Sequence, residues 1–285
     1  MYKRGRYKFE IDIPLELFEE YRAKPRPKTT DYSLFVLDPR DEAVLKETAK
    51  SFKQIKNQEK FSELDFANFI LSFVQSISQH SEIGEYPKFP VETIMDKEGD
   101  CEDTAILAAA LYYALGYSVA LLRLSKHMAV GVSITKKAKA TGRHIEYEGK
   151  KYYYGETTAS RWRLGNVPRK HKGQKLNLVF IEPKAIISHY FTTRQIRNKT
   201  NLFISVKNEG SRKGNNIWIR AACVARGDRS YTSIESKKFN ISPGKEKNII
   251  MKSLEVPKEK RTRYLVRVLQ DSQILDESHS KWFKT

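Results

Sequence analysis

GDCEDTAILAAALYYALG, residues 99–116, predicts an apolar helix with a cysteine in its first turn. Asp100 is a good N-cap, because its carboxylate can accept hydrogen bonds from the free N–H groups of that turn. Gly116 ends the helix, since glycine tolerates the left-handed backbone that often follows a helix. The helix dipole and the free N–H groups stabilise an anion at this end and can also bind a tetrahedral oxyanion. The pattern therefore favours Cys101 as a nucleophile that attacks amide carbonyls.

Two further side chains can complete a thiol triad, because a nucleophilic cysteine needs a base and a group that orients the base. His127 opens the otherwise apolar strand HMAVGVSI, residues 127–134. Glu156 lies near the end of the aromatic strand KYYYGET, residues 151–157. If these strands are antiparallel neighbours, only a suitable register brings the imidazole and the carboxylate together. The structural alternatives are a satisfied core histidine and a glutamate that pairs with a lysine.

Acidic residues surround the cysteine in the sequence: Asp100, Glu102 and Asp103. Like charge disfavours a thiolate, whereas a helix N-terminus and a neighbouring imidazolium favour it. Residues one and two positions further along a helix point roughly 100° and 200° away from the sulfur. We expect the imidazolium and the helix dipole to outweigh the acidic neighbours.

These motifs resemble the transglutaminase-like superfamily, particularly its archaeal-type members. GDCEDTAILAAALYYALGYSVALL, HMAVGV and YYYGETT follow one another in the order of that family, and YPKFPVETI is similar to its lead-in. The resemblance covers roughly residues 30–160 and is specific because three motifs occur in the required order. It implies a papain-like α+β core, with helices packed on an antiparallel sheet, and a Cys101–His127–Glu156 triad. Many members have Asp at the third position, and some have an aromatic residue after the cysteine.

The resemblance also implies a cysteine-dependent amide hydrolase or acyl transferase, like a protease or a transglutaminase, that works through a thioester acyl-enzyme. Its partner would be a peptide or protein substrate. No cofactor is expected. The remaining histidines lack metal-ligand spacing, so no metal site is expected either; they are His80, His144, His171, His189 and His279.

Helical spacing and capping predict two helices before the cysteine. One begins after Asp38-Pro39, and the other begins near Ser62. The basic, proline-punctuated residues 24–28 resist both helix and sheet. Two prolines and two aromatic residues argue against a regular helix over residues 85–100. Strands are expected at 6–13, 117–124, 127–134, 151–157 and 176–183.

The last hundred residues change to short alternating strands that are separated by Gly, Pro and Asn turns. This pattern predicts an immunoglobulin-like β-sandwich over residues 186–285, after a catalytic domain with an N-terminal extension over residues 1–185. Alternation places Ile217, Ile219 and Cys223 on one face of a strand. Cys223 is therefore a predicted core residue, and a disulfide between the two cysteines is not expected.

The net charge of +18 over 285 residues is unevenly distributed. Residues 31–135 carry −6, whereas residues 136–175 carry +9 and residues 186–285 carry +12. Such a field attracts nucleic acid, anionic lipid or an acidic protein, although a surface of solvated lysines is the favoured explanation. Aromatic and basic residues are not interleaved as in nucleic-acid-binding proteins, so nucleic acid is a less favoured partner.

Composition and charge leave two function classes open. The first is the thiol enzyme, and the second is a non-enzymatic transglutaminase-like scaffold that binds an acidic partner, protein or nucleic acid, through its basic surface. The sequence contains no run of about 20 apolar residues that could span a membrane. The first residues lack the apolar run of a secretory signal. On this basis a cytoplasmic location is expected.

Overall fold

The computed structural model describes residues 7–8, 10–24, 26, 31–80, 86–135, 138, 140–271 and 273–284. The described residues form two compact units that divide between residues 182 and 183. The predicted domains, 1–185 and 186–285, differ from this division by a few residues. Helices and antiparallel sheets occur in separate stretches of the chain, so the fold belongs to the α+β class.

Unit 1, the residues up to 182, contains all the α-helices of the described chain. They are α1 (Leu15–Ala23), α2 (Ser33–Val36), α3 (Glu42–Glu59), α4 (Glu63–Val74), α5 (Pro90–Asp96) and α6 (Cys101–Ala114). The predicted helices correspond to α3, α4 and α6. The Ser62 hydroxyl caps α4 by accepting a hydrogen bond from the Asp65 N–H at 3.2 Å. No helix in the described part of the chain is long and apolar enough to cross a membrane.

Helix α5 contradicts the expectation that residues 85–100 contain no regular helix. Pro90 occupies the first helical position, where a missing N–H costs nothing and the fixed φ of proline favours the helix. The Glu92 carboxylate accepts a hydrogen bond from the Phe89 N–H at 2.8 Å and completes the cap. Proline therefore starts this helix instead of preventing it.

A five-stranded antiparallel sheet forms the other half of unit 1, in the order β5-β6-β4-β3-β7. Its strands are β3 (Ser118–Leu124), β4 (His127–Ser133), β5 (His144–Tyr147), β6 (Lys150–Gly155) and β7 (Asn177–Ile181). Before them, β1 (Ser78–Gln79) and β2 (Glu98–Gly99) form a short parallel pair.

Two predictions concern the N-terminal region. The expected strand at 6–13 is wrong for its described residues, which have no strand structure. Of the expected connector at 24–28, only Lys24 and Arg26 are described, and the rest lies outside the described residues.

Helix α6 is the centre of unit 1. Its residues from Asp103 to Tyr112 are buried, as expected for a helix that is apolar on all sides. The Tyr112 hydroxyl donates a hydrogen bond to the Ala67 carbonyl of α4 at 2.6 Å. Gly116 follows α6 with φ of +90°, the left-handed conformation predicted for this position. The helix is therefore fixed at both ends, and its first residue has a defined position.

Unit 2 consists of two antiparallel sheets that share one hydrophobic core, the arrangement of a β-sandwich. Cys223 is fully buried in that core, as predicted. One sheet has the order β13-β9-β8, and the other contains the remaining strands. The strands are β8 (Ile187–Ile196), β9 (Lys199–Asn208), β10 (Gly214–Val224), β11 (Ser230–Glu235), β12 (Phe239–Ile241), β13 (Glu246–Glu255), β14 (Arg261–Gln270), β15 (Gln273–His279) and β16 (Phe283–Lys284).

Candidate active site

Cys101 is the first residue of α6, and its free thiol is partly exposed. The Asp100 carboxylate accepts hydrogen bonds from the N–H groups of Glu102 at 2.7 Å and Asp103 at 3.1 Å. The Asp103 carboxylate accepts one from the Asp100 N–H at 3.1 Å. None of these capping bonds uses the Cys101 N–H, which therefore stays a candidate donor to an oxyanion beside the sulfur.

Gly99 has a steric role in this cap. A Cβ atom at position 99 would lie 2.7 Å from the Cβ of Asp103, closer than side chains can approach. The buried Asp103 carboxylate also accepts a hydrogen bond from the Lys88 N–H at 2.8 Å. Burial and the Asp100 charge raise the pKa of Asp103 to about 7. Asp103 is therefore partly neutral near pH 7, which reduces the negative charge beside the sulfur.

The structure brings His127 and Glu156 into hydrogen-bonding contact. The Nε2 atom of His127 lies 3.1 Å and 3.2 Å from the two carboxylate oxygens of Glu156. Strands β4 and β6 are antiparallel neighbours with Val130 opposite Gly155. Continuing this register by one residue places Glu156 opposite Ala129, which shares a strand face with His127. The register supplies the condition that the sequence left open.

Glu156 is held as a carboxylate by several donors. The Tyr154 hydroxyl donates at 2.8 Å, the Thr158 hydroxyl at 2.7 Å and the Thr158 N–H at 3.1 Å. Burial opposes the ionisation of Glu156, but the hydrogen bonds from His127 and Thr158 prevail and lower its pKa to about 2. The side chain is 1% exposed. Glu156 is therefore a fixed, buried anion behind the imidazole.

Glu156 is the hydrogen-bond partner of His127, and the Cys101 side chain interacts with the same imidazole. Because Nε2 faces Glu156, we assign Nδ1 to the sulfur. Burial lowers the pKa of His127, but the hydrogen bonds with Cys101 and Glu156 outweigh burial and raise it to about 9. His127 is therefore an imidazolium at neutral pH, and it interacts with both of the other side chains that the sequence predicts for the triad.

Side-chain hydrogen bonds fix the Glu156 segment to the helices. The Thr157 hydroxyl lies 2.9 Å from the hydroxyl of Thr104, which is three residues after Cys101 on α6. The Gln75 side-chain amide donates to the Glu156 carbonyl at 2.8 Å and to the Trp162 carbonyl at 3.0 Å. The segment around Glu156 is thus joined to α6 and to Gln75, at the end of α4, through buried polar contacts.

His171 also belongs to the site, and the sequence did not indicate it. Its ring stacks on the His127 ring with a centroid separation of 4.2 Å and an interplanar angle of 4°. It lies in a 3₁₀ turn, Arg169–His171, within the loop after β6. Burial and the positive charge of His127 lower the pKa of His171. The only sequence signal was a single histidine among basic residues, which has no distinguishing pattern.

Two clusters of the described chain have atoms that could ligate a metal. Donor atoms of His127, Glu156 and His171 lie within 4.8 Å of one another. However, imidazole lone pairs lie in the ring plane, and the two rings are parallel, so one ring must rotate before both can bind one ion. In unit 2 the cluster is Asp228, Glu277 and His279, where Arg263 already pairs with Asp228 at 2.7 Å. No metal ion is needed to account for either arrangement.

Comparisons with known proteins give little similarity. No family model matches the chain. No curated protein matches it. Among solved structures it is similar to red sea bream transglutaminase, with 10% identity and a TM-score of 0.22 over 83% of this chain and 55% of that chain.

Two glycosidases also show some similarity. A β-glucuronidase from glycoside hydrolase family 2 has 15% identity and a TM-score of 0.26 over 34% of this chain and 11% of that chain. A β-glucosidase from Streptomyces venezuelae has 11% identity and a TM-score of 0.22 over 34% of this chain and 15% of that chain. The chain spans less than two thirds of each of these three proteins, and similarities this low carry no argument about fold or function.

Proposed function

We propose that unit 1 is a cysteine-dependent amide hydrolase or acyl transferase with a papain-like core of the transglutaminase-like type. Cys101 is the nucleophile, His127 the acid and base, and Glu156 the orienting group. The observation that carries the proposal is the His127–Glu156 hydrogen bond, together with the interaction of the same imidazole with Cys101 in the first turn of a helix. A peptide or protein amide is the substrate class, because acyl transfer to a thiol suits that bond.

The acylation half of the reaction begins with attack of the Cys101 thiolate on the amide carbonyl carbon. The new C–S bond displaces the carbonyl electron pair onto oxygen, where the Cys101 N–H and the helix dipole stabilise the negative charge. His127 then donates its proton to the nitrogen as the C–N bond breaks. The amine leaves, and the acyl group remains on the sulfur as a thioester.

The deacylation half reverses these roles. His127, now neutral, removes a proton from water or from a second amine, and the resulting nucleophile attacks the thioester. The C–S bond breaks, and the thiolate returns beside the reprotonated imidazole. We place hydrolysis first, because water needs no second binding site. Throughout the cycle Glu156 stabilises the imidazolium and keeps the same ring nitrogen towards the sulfur.

Thiol alkylation tests the proposal, and Cys223 provides an internal control because it is fully buried. Iodoacetamide should modify Cys101 near neutral pH faster than it modifies N-acetylcysteine, and mass spectrometry should locate the adduct. His127→Ala should reduce the Cys101 rate to that of the free thiol. If Cys101 reacts no faster than N-acetylcysteine and His127→Ala leaves the rate unchanged, the enzyme proposal fails.

A second candidate function is binding of an anionic partner, and a lysine-lined cleft favours it. The cleft has a volume of about 1100 Å³ and includes Leu115 and Gly116 at the end of α6 opposite Cys101. Lys53, Lys56, Lys150 and Lys151 line it. Glu63 is the one carboxylate among its described lining residues, and it accepts a hydrogen bond from the Thr135 N–H at 2.8 Å.

Poly-glutamate can serve as the probe for this second candidate. Its affinity should fall as salt increases, because screening weakens charge attraction. Lys53→Glu combined with Lys56→Glu should weaken binding and leave Cys101 alkylation unchanged, since a 14-residue helix separates the cleft from the thiol by about 20 Å. Salt-independent binding, or equal binding by the double variant, would exclude this cleft.

A further inference from the structure

The stacking of His171 on His127 is a constraint that the proposed triad needs. The imidazole of a histidine rotates about a broad terminal torsion, so hydrogen bonds along its edge restrict it only partly. A parallel ring with its centroid 4.2 Å away blocks this rotation, because turning either ring would drive its edge into the other. With His171 in place, the His127 plane stays aligned with Glu156 and Cys101.

The loop that carries His171 is itself fixed to the sheet. The Arg143 guanidinium donates to the His171 carbonyl at 3.1 Å and to the Gln174 carbonyl at 2.5 Å. Arg143 is also bonded through its backbone, since its carbonyl accepts from the Tyr154 N–H at 3.1 Å. Tyr154 lies on β6, two residues before Glu156. The covering ring and the orienting carboxylate are therefore positioned by the same strand.

The polar atoms of His171 do not explain its position. Among the described residues its Nε2 atom is buried and has no hydrogen-bond partner. Its Nδ1 atom lies 3.5 Å from the Gln174 side-chain amide, a long contact. A buried donor without an acceptor is unfavourable, whereas an apolar ring of similar shape avoids that cost. The contribution of His171 is thus the flat face of its ring, and the residue is 7% exposed.

We propose that His171 is a positioning residue for the triad: its ring covers one face of His127, fixes the imidazole plane and keeps water from the His127–Glu156 hydrogen bond. This inference rests on the proposed function of unit 1. The lowered pKa of His171, caused by burial and by the His127 charge, supports it because a neutral ring can cover an imidazolium without repulsion. The attraction between a cation and a π-face adds to the contact.

Two substitutions of His171 distinguish a role of its flat ring from a role of its ring nitrogens. His171→Ala removes the ring, and His171→Phe keeps a flat ring but removes both nitrogens. The first readout is the NMR signal of the His127 N–H that faces Glu156, which is visible only if exchange with water is slow. The second is the rate of Cys101 alkylation. His144→Ala is the matched control, because His144 is another ring-contacting histidine of unit 1, next to Tyr153 at 5.3 Å.

We expect His171→Ala to lose the N–H signal and to slow alkylation about tenfold or more, the usual scale for a supporting residue. His171→Phe should restore the signal, bring the rate to within about threefold of wild type and melt at the same or a higher temperature. His144→Ala should change neither readout. If His171→Ala keeps both the signal and the rate, the inference is overturned.

Failure of the phenylalanine rescue in a folded protein would also overturn the inference, because ring cover would then not be the contribution. Circular dichroism establishes folding, and the phenylalanine variant carries the test if the alanine variant does not fold. The proposed function can fail separately. A wild-type Cys101 that reacts no faster than N-acetylcysteine would remove the enzyme proposal, whereas the N-H signal would still show whether His171 protects the imidazole.

Discussion

Each unit contains a buried histidine that is hydrogen-bonded to a carboxylate. His127 lies 3.1 Å from Glu156 in unit 1, and His189 lies 2.7 Å from Asp276 in unit 2. The other ring nitrogen of His189 lies 2.6 Å from the Ser278 hydroxyl. Serine, histidine and aspartate therefore follow one another as in a serine hydrolase. By the distance between imidazole and carboxylate alone, the second series is as good as the first.

The two series differ in where the sulfur or the hydroxyl lies. Cys101 begins a helix, where free N–H groups and the dipole can stabilise an oxyanion. Ser278 lies within β15, opposite Val266 of β14. His189 also donates its backbone N–H to Asp276 at 2.8 Å, and its side chain is fully buried. The second series thus connects strands of two sheets, and a relay of hydrogen bonds is not by itself a catalytic site.

The largest expected effect is on the acylation rate, which matched alanine substitutions of the two histidines should change very differently. With p-nitrophenyl acetate as substrate, His127→Ala should slow acylation of Cys101 by about 10²–10⁴, the usual contribution of a general acid–base. His189→Ala should leave the rate per folded molecule within about twofold of wild type. Stopped-flow release of nitrophenol measures the rate, and mass spectrometry locates the acetyl group. If both variants lost the same fraction of the acylation rate, the first series could not be distinguished from the second as the catalytic one.

The second series should instead be essential for stability. Asp276→Ala leaves the His189 ring buried without its partner, and a buried polar group that loses its hydrogen bond costs up to about 3 kcal/mol. Hydrogen exchange of β8 and β15 should accelerate, while α6 keeps its protection. Asp276→Asn is the control, because an amide oxygen can still accept from His189. If hydrogen exchange were unchanged in the alanine variant, the His189–Asp276 hydrogen bond would contribute little to the stability of unit 2.

Local signals made the position of Cys101 at a helix start predictable, whereas tertiary contacts determined the rest of the candidate site. The N-cap and the glycine stop of α6 are encoded within a few residues, so the sequence placed Cys101 correctly at a helix start. The register that joins His127 to Glu156 depends on cross-strand pairing, and the family resemblance selected those residues instead. His171 lies in a loop that Arg143 binds through side-chain hydrogen bonds, and such a contact has no local sequence pattern.

The missed helices have equally specific causes. Pro90 argues against a helix when its position within the helix is unknown, whereas at the first helical position it favours one. Helix α2 is only four residues long, and all of them are buried, so packing and not intrinsic propensity stabilises it. In unit 2, the alternation that predicted a β-sandwich also predicted Cys223 as a core residue, because a strand's two faces can be assigned from sequence alone.

The stability that the His127–Glu156 pair contributes should depend on pH. The pKa of His127 is raised from 6.5 to about 9, so its stabilisation is complete below pH 6.5 and is lost as the pH rises through 9. The pKa of Glu156 is lowered from 4.5 to about 2, so its stabilisation is complete above pH 4.5 and is lost as the pH falls through 2. The pair therefore stabilises unit 1 most between pH 4.5 and 6.5.

Glu156→Gln should reduce the free energy of unfolding by about 2 kcal/mol in that window. The difference from wild type should narrow towards pH 9, where His127 loses its proton, and towards pH 2, where Glu156 gains one. Denaturant titrations at several pH values, followed by a probe in unit 1, measure it. A difference that is constant with pH would mean that the pair makes no electrostatic contribution.

For Ser278 we expect no labelling by a fluorophosphonate. A fluorophosphonate reacts with a serine whose hydroxyl is activated by a histidine and whose backbone stabilises the developing charge. Ser278 has the histidine at 2.6 Å but lies within a paired strand, so the folded protein should not be labelled there. Labelling that is abolished by His189→Ala would make unit 2 a second reactive centre, and the position of the nucleophile would no longer distinguish the two series.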